Sequence, residues 1–92
     1  MKTYKSYYNF QSIKIDTTNV TSECNTISFM NKGNGIVYIK SSANPNLLPI
    51  NSLETLTLGG RIESIVADTF EISFETGKTN NLQIVRENII HY

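Results

Sequence analysis

The chain has 92 residues, 8 basic and 8 acidic side chains that give a formal net charge of zero, and a single Cys and a single His. A chain this short has room for one small core. Zero net charge argues against nucleic acid and anionic membrane surfaces as partners, because both are bound through surplus Lys and Arg. One Cys and one His exclude a disulfide framework and a Cys/His metal cluster.

Composition favours strands over helices. Ile, Val, Thr and the aromatic residues make up 35 of the 92 residues, whereas Ala and Arg occur twice each. The first group fits a pleated, half-buried surface, and the second contains two of the best helix formers. No apolar run approaches the length of a signal peptide core or a membrane span.

The first quarter of the chain begins with an aromatic arm. Residues 1–11 are polar and rich in Tyr, and residues 12–16 then alternate, which predicts a strand with Ile13 and Ile15 facing inward. Residues 17–25 are polar and typical of a turn.

Residues 26–39 form the strongest local pattern. Ile27 and Phe29 alternate with polar residues, residues 31–35 contain two Gly and two Asn, and residues 36–39 again resemble a strand. The pattern predicts a β-hairpin with a four- or five-residue loop. A phosphate-binding loop would need a helix after the glycines, and a strand-like run follows instead.

Both prolines lie in residues 41–51, which predicts a crossover between two sheets with Leu47, Leu48 and Ile50 at the edge of the core. Residues 52–58 alternate, Gly59 and Gly60 predict a turn, and residues 61–66 have the pattern of a short strand.

The remaining strands follow in order. Residues 69–75 place Phe70, Ile72 and Phe74 inward and acidic or hydroxyl side chains outward. Residues 76–81 predict a turn and residues 82–86 a strand. A short amphipathic helix over 80–92 stays open, because four side chains in that segment also have helical spacing.

Together these patterns predict an all-β fold, a single small antiparallel β-sandwich or jelly-roll-like domain of about seven short strands. The sandwich spans residues 12–92, and the aromatic arm spans residues 1–11. The expected core comprises Ile27, Phe29, Val37, Ile39, Leu56, Leu58, Phe70, Ile72, Phe74, Leu82 and Ile84.

The sequence shows no set of residues with the arrangement that catalysis needs. His91 is penultimate and has no orienting partner nearby, and Cys24 lies in a polar stretch without a local base. Glu71 and Glu75 alternate on an outer face, which does not supply the desolvated pocket of a general acid. We therefore expect no enzyme activity, no catalytic or cofactor-binding residues, no cofactor and no metal.

The aromatic residues are more informative. Aromatic side chains are enriched in interface cores, and adjacent Tyr7 and Tyr8 cannot share one face of a strand. These observations suggest a partner interface, and a first strand with one aromatic face is an equal alternative. The predicted interface residues are Tyr4, Tyr7, Tyr8, Phe10 and Tyr92.

The chain resembles the small β-sandwich virion proteins of tailed bacteriophages. The resemblance lies in ISFMNKG at residues 27–33, IVYI at 36–39, FEISF at 70–74 and LQIV at 82–85. It implies a non-enzymatic auxiliary capsid, decoration or tail-associated subunit. Such a subunit binds other virion proteins in many copies or as a homo-oligomer and is located in the virion, which assembles in the host cytoplasm.

Two other functions remain open. Tyr side chains near Asn and Asp suit a small carbohydrate-binding module, because they stack on sugar rings and hydrogen-bond to hydroxyls. An inhibitor or modulator of a host enzyme also fits the size of the chain.

Overall fold

A computed structural model describes residues 3–42, 46–60 and 65–91. These residues form eight strands and no helix, in the order β1 (Tyr4–Ile13), β2 (Thr17–Thr21), β3 (Thr26–Asn31), β4 (Val37–Ser41), β5 (Leu47–Ile50), β6 (Thr55–Gly59), β7 (Thr69–Phe74) and β8 (Leu82–His91). The all-β prediction is confirmed, with eight strands where about seven were expected. The helical alternative for the last segment is wrong, because β8 is a ten-residue strand.

The strands form two four-stranded sheets. The first sheet has the order β1-β8-β3-β6, the second has the order β2-β7-β4-β5, and all strand pairs are antiparallel. The core lies between them: Phe29 of the first sheet packs edge-on against Phe70 of the second, with ring centroids 5.3 Å apart. The domain is a β-sandwich.

The core matches most of the sequence prediction. Eight of the eleven expected side chains are buried, and Leu56, Leu58 and Phe74 are half-buried against them. The core also contains Ile13, Val20, Cys24 and Ile50. Ile15 is 74% exposed and was wrongly placed inward, because β1 ends at Ile13 before the alternation does.

The predicted hairpin over residues 26–39 is wrong. β3 pairs with β6 and β8, whereas β4 pairs with β5 and β7, so the glycine loop carries the chain from one sheet to the other. Gly33 does not have positive φ. A Cβ there would lie 2.2 Å from the Thr79 carbonyl oxygen, so the loop needs glycine for close approach.

Asn31 holds this corner together. It is 1% exposed, and its amide nitrogen donates to the carbonyls of Gly35 (2.8 Å) and Ile50 (2.9 Å). Its side-chain oxygen accepts from the Gly33 N–H at 3.0 Å. One buried amide therefore joins the end of β3 to the corner and to β5 in the other sheet.

Two further segments differ from the sequence expectation. Residues 17–21, expected to be a turn, form β2. The proline-containing segment joins β4 to β5 within one sheet, so the crossover between sheets follows β5 instead. Ile50 is buried as expected, but Leu47 and Leu48 are exposed. Pro49 is tolerated because β5 is an edge strand.

Candidate interaction surface

The predicted aromatic arm is part of the first sheet. β1 runs through the suggested boundary between residues 11 and 12 and pairs with β8 at ten consecutive positions, from Tyr4 opposite His91 to Ile13 opposite Leu82. Among the described strands, β1 alone pairs with residues 88–91 of β8, because the pairing with β3 stops at Glu87. We call residues 4–7 and 88–91 the ribbon, which continues the first sheet past its other two strands.

Strand parity divides the aromatic side chains between two faces. Ile13, Leu82 and Ile84 are buried, so odd residues of β1 and even residues of β8 lie on the face toward the core. Tyr7 shares that face, whereas Tyr4, Tyr8 and Phe10 lie on the opposite, outer face. The predicted separation of Tyr7 from Tyr8 follows directly from this arrangement.

All four described members of the predicted interface are exposed. Their exposed fractions are 43% for Tyr4, 44% for Tyr7, 59% for Tyr8 and 74% for Phe10. The fifth, Tyr92, lies outside the described residues. Tyr4, Tyr8 and Phe10 form what we call the aromatic face of the first sheet.

Two contacts order the middle of the aromatic face. The rings of Tyr8 and Phe10 are stacked, with centroids 6.5 Å apart and planes inclined by 23°. The Tyr8 hydroxyl donates to Glu87 Oε2 at 3.1 Å, and this hydrogen bond, with the negative charge of Glu87, raises the pKa of Tyr8. The register makes this contact possible, because Tyr8 lies directly opposite Glu87.

The core-side face of the ribbon carries a different set of groups. The Lys5 ammonium lies 5.5 Å from the centre of the Tyr7 ring, within reach of a cation–π contact. Ile90, opposite Lys5, is 50% exposed. Sequence reasoning missed Ile90 because the predicted last strand stopped at residue 86. Extending the even-numbered face of Leu82 and Ile84 to residue 90 would have placed Ile90 on the same face.

The inner face changes from apolar to polar at Arg86. Its Nε donates to the Thr21 carbonyl at 2.9 Å, and its Nη1 donates to the side chain of Asn9, the residue opposite, at 3.3 Å. This side chain therefore connects the two sheets where the core ends. Beyond it, Lys5, Tyr7 and Ile90 on the same face of the ribbon are exposed.

Cys24, Glu71, Glu75 and His91 lie in different parts of the fold. Burial raises the pKa of the Cys24 thiol, which keeps it protonated. Glu75 accepts the Ile36 N–H at 2.9 Å, and Glu71 is exposed. His91 ends β8. Within the described ranges, no three His, Cys, Asp or Glu side chains are grouped to hold a metal ion.

Asp68 has the most extensive set of hydrogen bonds among the carboxylates described. It accepts from the hydroxyls of Ser41 and Ser42 and from the Thr69 N–H, and these bonds lower its pKa. The Ser22 hydroxyl donates to the Asp68 carbonyl and accepts from the Asp68 N–H. The network ties β4 and β7 to the chain before β3.

Comparison with known proteins adds no relative: no family model, curated protein or solved structure matches the chain. Residues 3–42, 46–60 and 65–91 contain no candidate membrane-spanning helix.

Proposed function

We propose that the protein is a non-enzymatic structural subunit that binds other protein subunits through the aromatic face and the ribbon. The observation that carries this proposal is the exposure of Tyr8 and Phe10 on an ordered strand face. Large aromatic groups in such a position are typical interface anchors, and contiguous exposed apolar patches often mark binding sites. Zero net charge favours association with another protein surface.

Within that class, the proposed role is an auxiliary capsid, decoration or tail-associated subunit of a virion, present in many copies and assembled in the host cytoplasm. The resemblance to small phage β-sandwich proteins supports this part of the proposal. So does the compact β-sandwich.

A protein inventory of purified particles tests the virion role. We expect this chain at stoichiometric levels by quantitative mass spectrometry; its absence would overturn the role. A Tyr8→Ser/Phe10→Ser double variant should lose most of its incorporation. Leu47→Ser, which removes a 54%-exposed apolar side chain from the other sheet, should incorporate normally.

A carbohydrate-binding module is the second candidate, and one observation favours it. The stacked rings of Tyr8 and Phe10 offer an exposed, nearly parallel pair beside the hydrogen-bonding carboxylate of Glu87. Sugar rings bind to such platforms by stacking and hydrogen bonding. A glycan array decides it: binding that disappears in Phe10→Ala supports this function, and an array without binding rejects it.

A further inference from the structure

The open edge of β1 is the least protected sheet edge in the described structure. A sheet edge exposes unpaired N–H and C=O groups, and proteins usually blunt it by short length, proline, bulges or charge. β1 is ten residues long, contains no proline and has no register shift against β8. Its only charged residue is Lys5.

The other three edge strands each carry protection. β2 has a register shift between Thr17 and Val20, with Asn19 at positive φ. β5 has four residues and contains Pro49. β6 has five residues and ends at Gly59, which has a φ of 92°. The contrast singles out β1 as an edge suited to pairing.

The direction of the free backbone groups follows from the neighbouring strand. The Glu87 carbonyl accepts from the Asn25 N–H, and the Ile89 N–H donates to the Asn25 side chain, so residues 87 and 89 face β3. Directions alternate along a strand, so residues 86, 88 and 90 bond to β1. Even residues of β1, including Ser6, Tyr8 and Phe10, therefore direct their N–H and C=O groups to the open edge.

We propose that a second copy of this chain pairs antiparallel with this edge, β1 against β1, and joins two first sheets into one eight-stranded sheet. This inference extends the proposed function by naming one subunit partner. Outward-facing residues must pair with outward-facing residues, so even positions lie opposite even positions. The permitted registers are those in which the two paired residue numbers add to an even total.

One of these registers covers the aromatic side chains. With the two-fold axis at Asn9, Tyr8 lies opposite Phe10 of the other copy, and Phe10 lies opposite Tyr8. Directly opposed aromatic side chains on one sheet face contact each other, so four rings form one cluster. Moving the axis to Tyr8 places Phe10 opposite Ser6 and leaves its ring largely uncovered.

Charge also favours self-pairing in the antiparallel direction. With the axis at Asn9, Lys5 lies opposite Ile13 of the other copy. The two Lys5 residues are then eight positions apart along the strand, about 27 Å at about 3.4 Å per residue, beyond the Debye length of about 8 Å at physiological ionic strength. A parallel in-register pairing would place them side by side.

Sedimentation equilibrium over a concentration series tests the dimer. We expect wild type to reach twice the 10.4 kDa chain mass. Phe10→Lys should raise the dimer dissociation constant about tenfold or more, whereas Leu47→Lys on the edge of the other sheet should leave it unchanged. Far-UV circular dichroism of each variant establishes that the fold is retained. A wild type that stays monomeric, or a Phe10→Lys variant that still dimerises equally well, overturns the proposal.

Cysteine cross-linking tests the register. Asn9 lies on the axis and forms a non-hydrogen-bonded pair with Asn9 of the other copy, with Cα atoms about 4.5 Å apart, within disulfide range. Asn9→Cys should therefore cross-link on mild oxidation, and Tyr7→Cys should not. Wild type controls for Cys24, which is buried. Cross-linking of Tyr7→Cys instead overturns the register.

The two proposals fail in different ways. A dimer that is absent from particles removes the virion role and leaves the β1 pairing intact. A monomer that still incorporates into particles overturns the β1 pairing and leaves the virion role intact.

Discussion

The two ends of the β1–β8 pair have the same hydrogen-bonded ladder and very different surroundings. At one end, Ile13 and Leu82 lie opposite each other and are both buried. At the other end, Tyr4 and Tyr7 are exposed in the ribbon. Pairing with β8 therefore does not by itself bury β1, which is buried only where the second sheet packs against it.

A two-stranded ribbon is marginally stable by itself, so the ribbon depends on the sandwich that it continues. The sandwich is closed at the Ile13 end by the Asn31 corner and at the ribbon end by Arg86 and the Asp68 network. Substitutions at each position measure how differently the two ends contribute to stability.

The largest difference is expected between Phe29 and Tyr7. Phe29→Ala leaves a cavity between the sheets and should lower the free energy of unfolding by about 3–5 kcal/mol. Tyr7→Ala removes a half-exposed ring from the ribbon and should lower it by less than about 1 kcal/mol. Urea denaturation at a concentration where the chain is monomeric measures both. Equal losses would show that the ribbon is part of the cooperative core.

Asn31 should come next. Asn31→Ala removes three buried hydrogen bonds and leaves their backbone partners unpaired, which should lower the free energy of unfolding by about 2–4 kcal/mol. Asn31→Asp keeps the shape but turns an oxygen toward the carbonyls of Gly35 and Ile50. It should be as destabilised at neutral pH and partly recover in acid, where a protonated carboxyl can donate. Urea titrations at two pH values test this; a neutral effect of both substitutions would remove the corner's proposed role.

Asp68 should make the ribbon end of the sandwich sensitive to acid. Its lowered pKa means that its stabilising contribution is complete above the ordinary carboxyl value of 3.8 and is lost as the pH falls through the lower folded-state value. Asp68→Asn should therefore lower the melting temperature at neutral pH and reduce its further fall in acid. Thermal melts at several pH values check this. Glu71→Gln, at an exposed carboxylate of β7, is the control and should change neither quantity appreciably.

The smallest effect is expected on the aromatic face. Tyr8→Phe removes an exposed hydrogen bond and should change the free energy of unfolding by no more than about 0.5 kcal/mol. Glu87→Gln should instead lower the pKa of Tyr8 toward its ordinary value, because the neighbouring negative charge is removed. Titration of the Tyr8 ring carbon by NMR measures this. An unchanged pKa would show that the contact is not formed in solution.

Much of the fold was predictable because burial on one side of a sheet imposes period-two alternation. Ile27, Phe29, Phe70 and Ile72 all follow it, and all are buried. The assignment of strands to sheets was not predictable from that signal. A strand with one buried face shows the same alternation of apolar and polar residues whether the next strand in the chain pairs beside it or packs across the core in the other sheet. The sequences of β3 and β4 therefore resembled a hairpin, although the two strands lie in different sheets.

The candidate surface was predictable in part. The density of Tyr in residues 4–10 and the parity of Tyr7 and Tyr8 were visible in the sequence. The position of Ile90 on the ribbon depends on the length of β8, and the outward direction of the β1 backbone depends on its bonding to β8. Both are consequences of a pairing between residues 69 to 87 positions apart, for which no local pattern carries a signal.

That distant pairing also constrains how the chain folds as it is made. β8 is central in the first sheet, between β1 and β3, yet it is the last of the described strands to be synthesised. The strand that pairs with both β1 and β3 is therefore missing until translation reaches residue 91. Folds dominated by such distant contacts form slowly, and an aromatic strand that waits unpaired on the ribosome is exposed to aggregation throughout that interval. We therefore expect the yield of folded protein to depend on the rate of synthesis as well as on the stability of the finished sandwich.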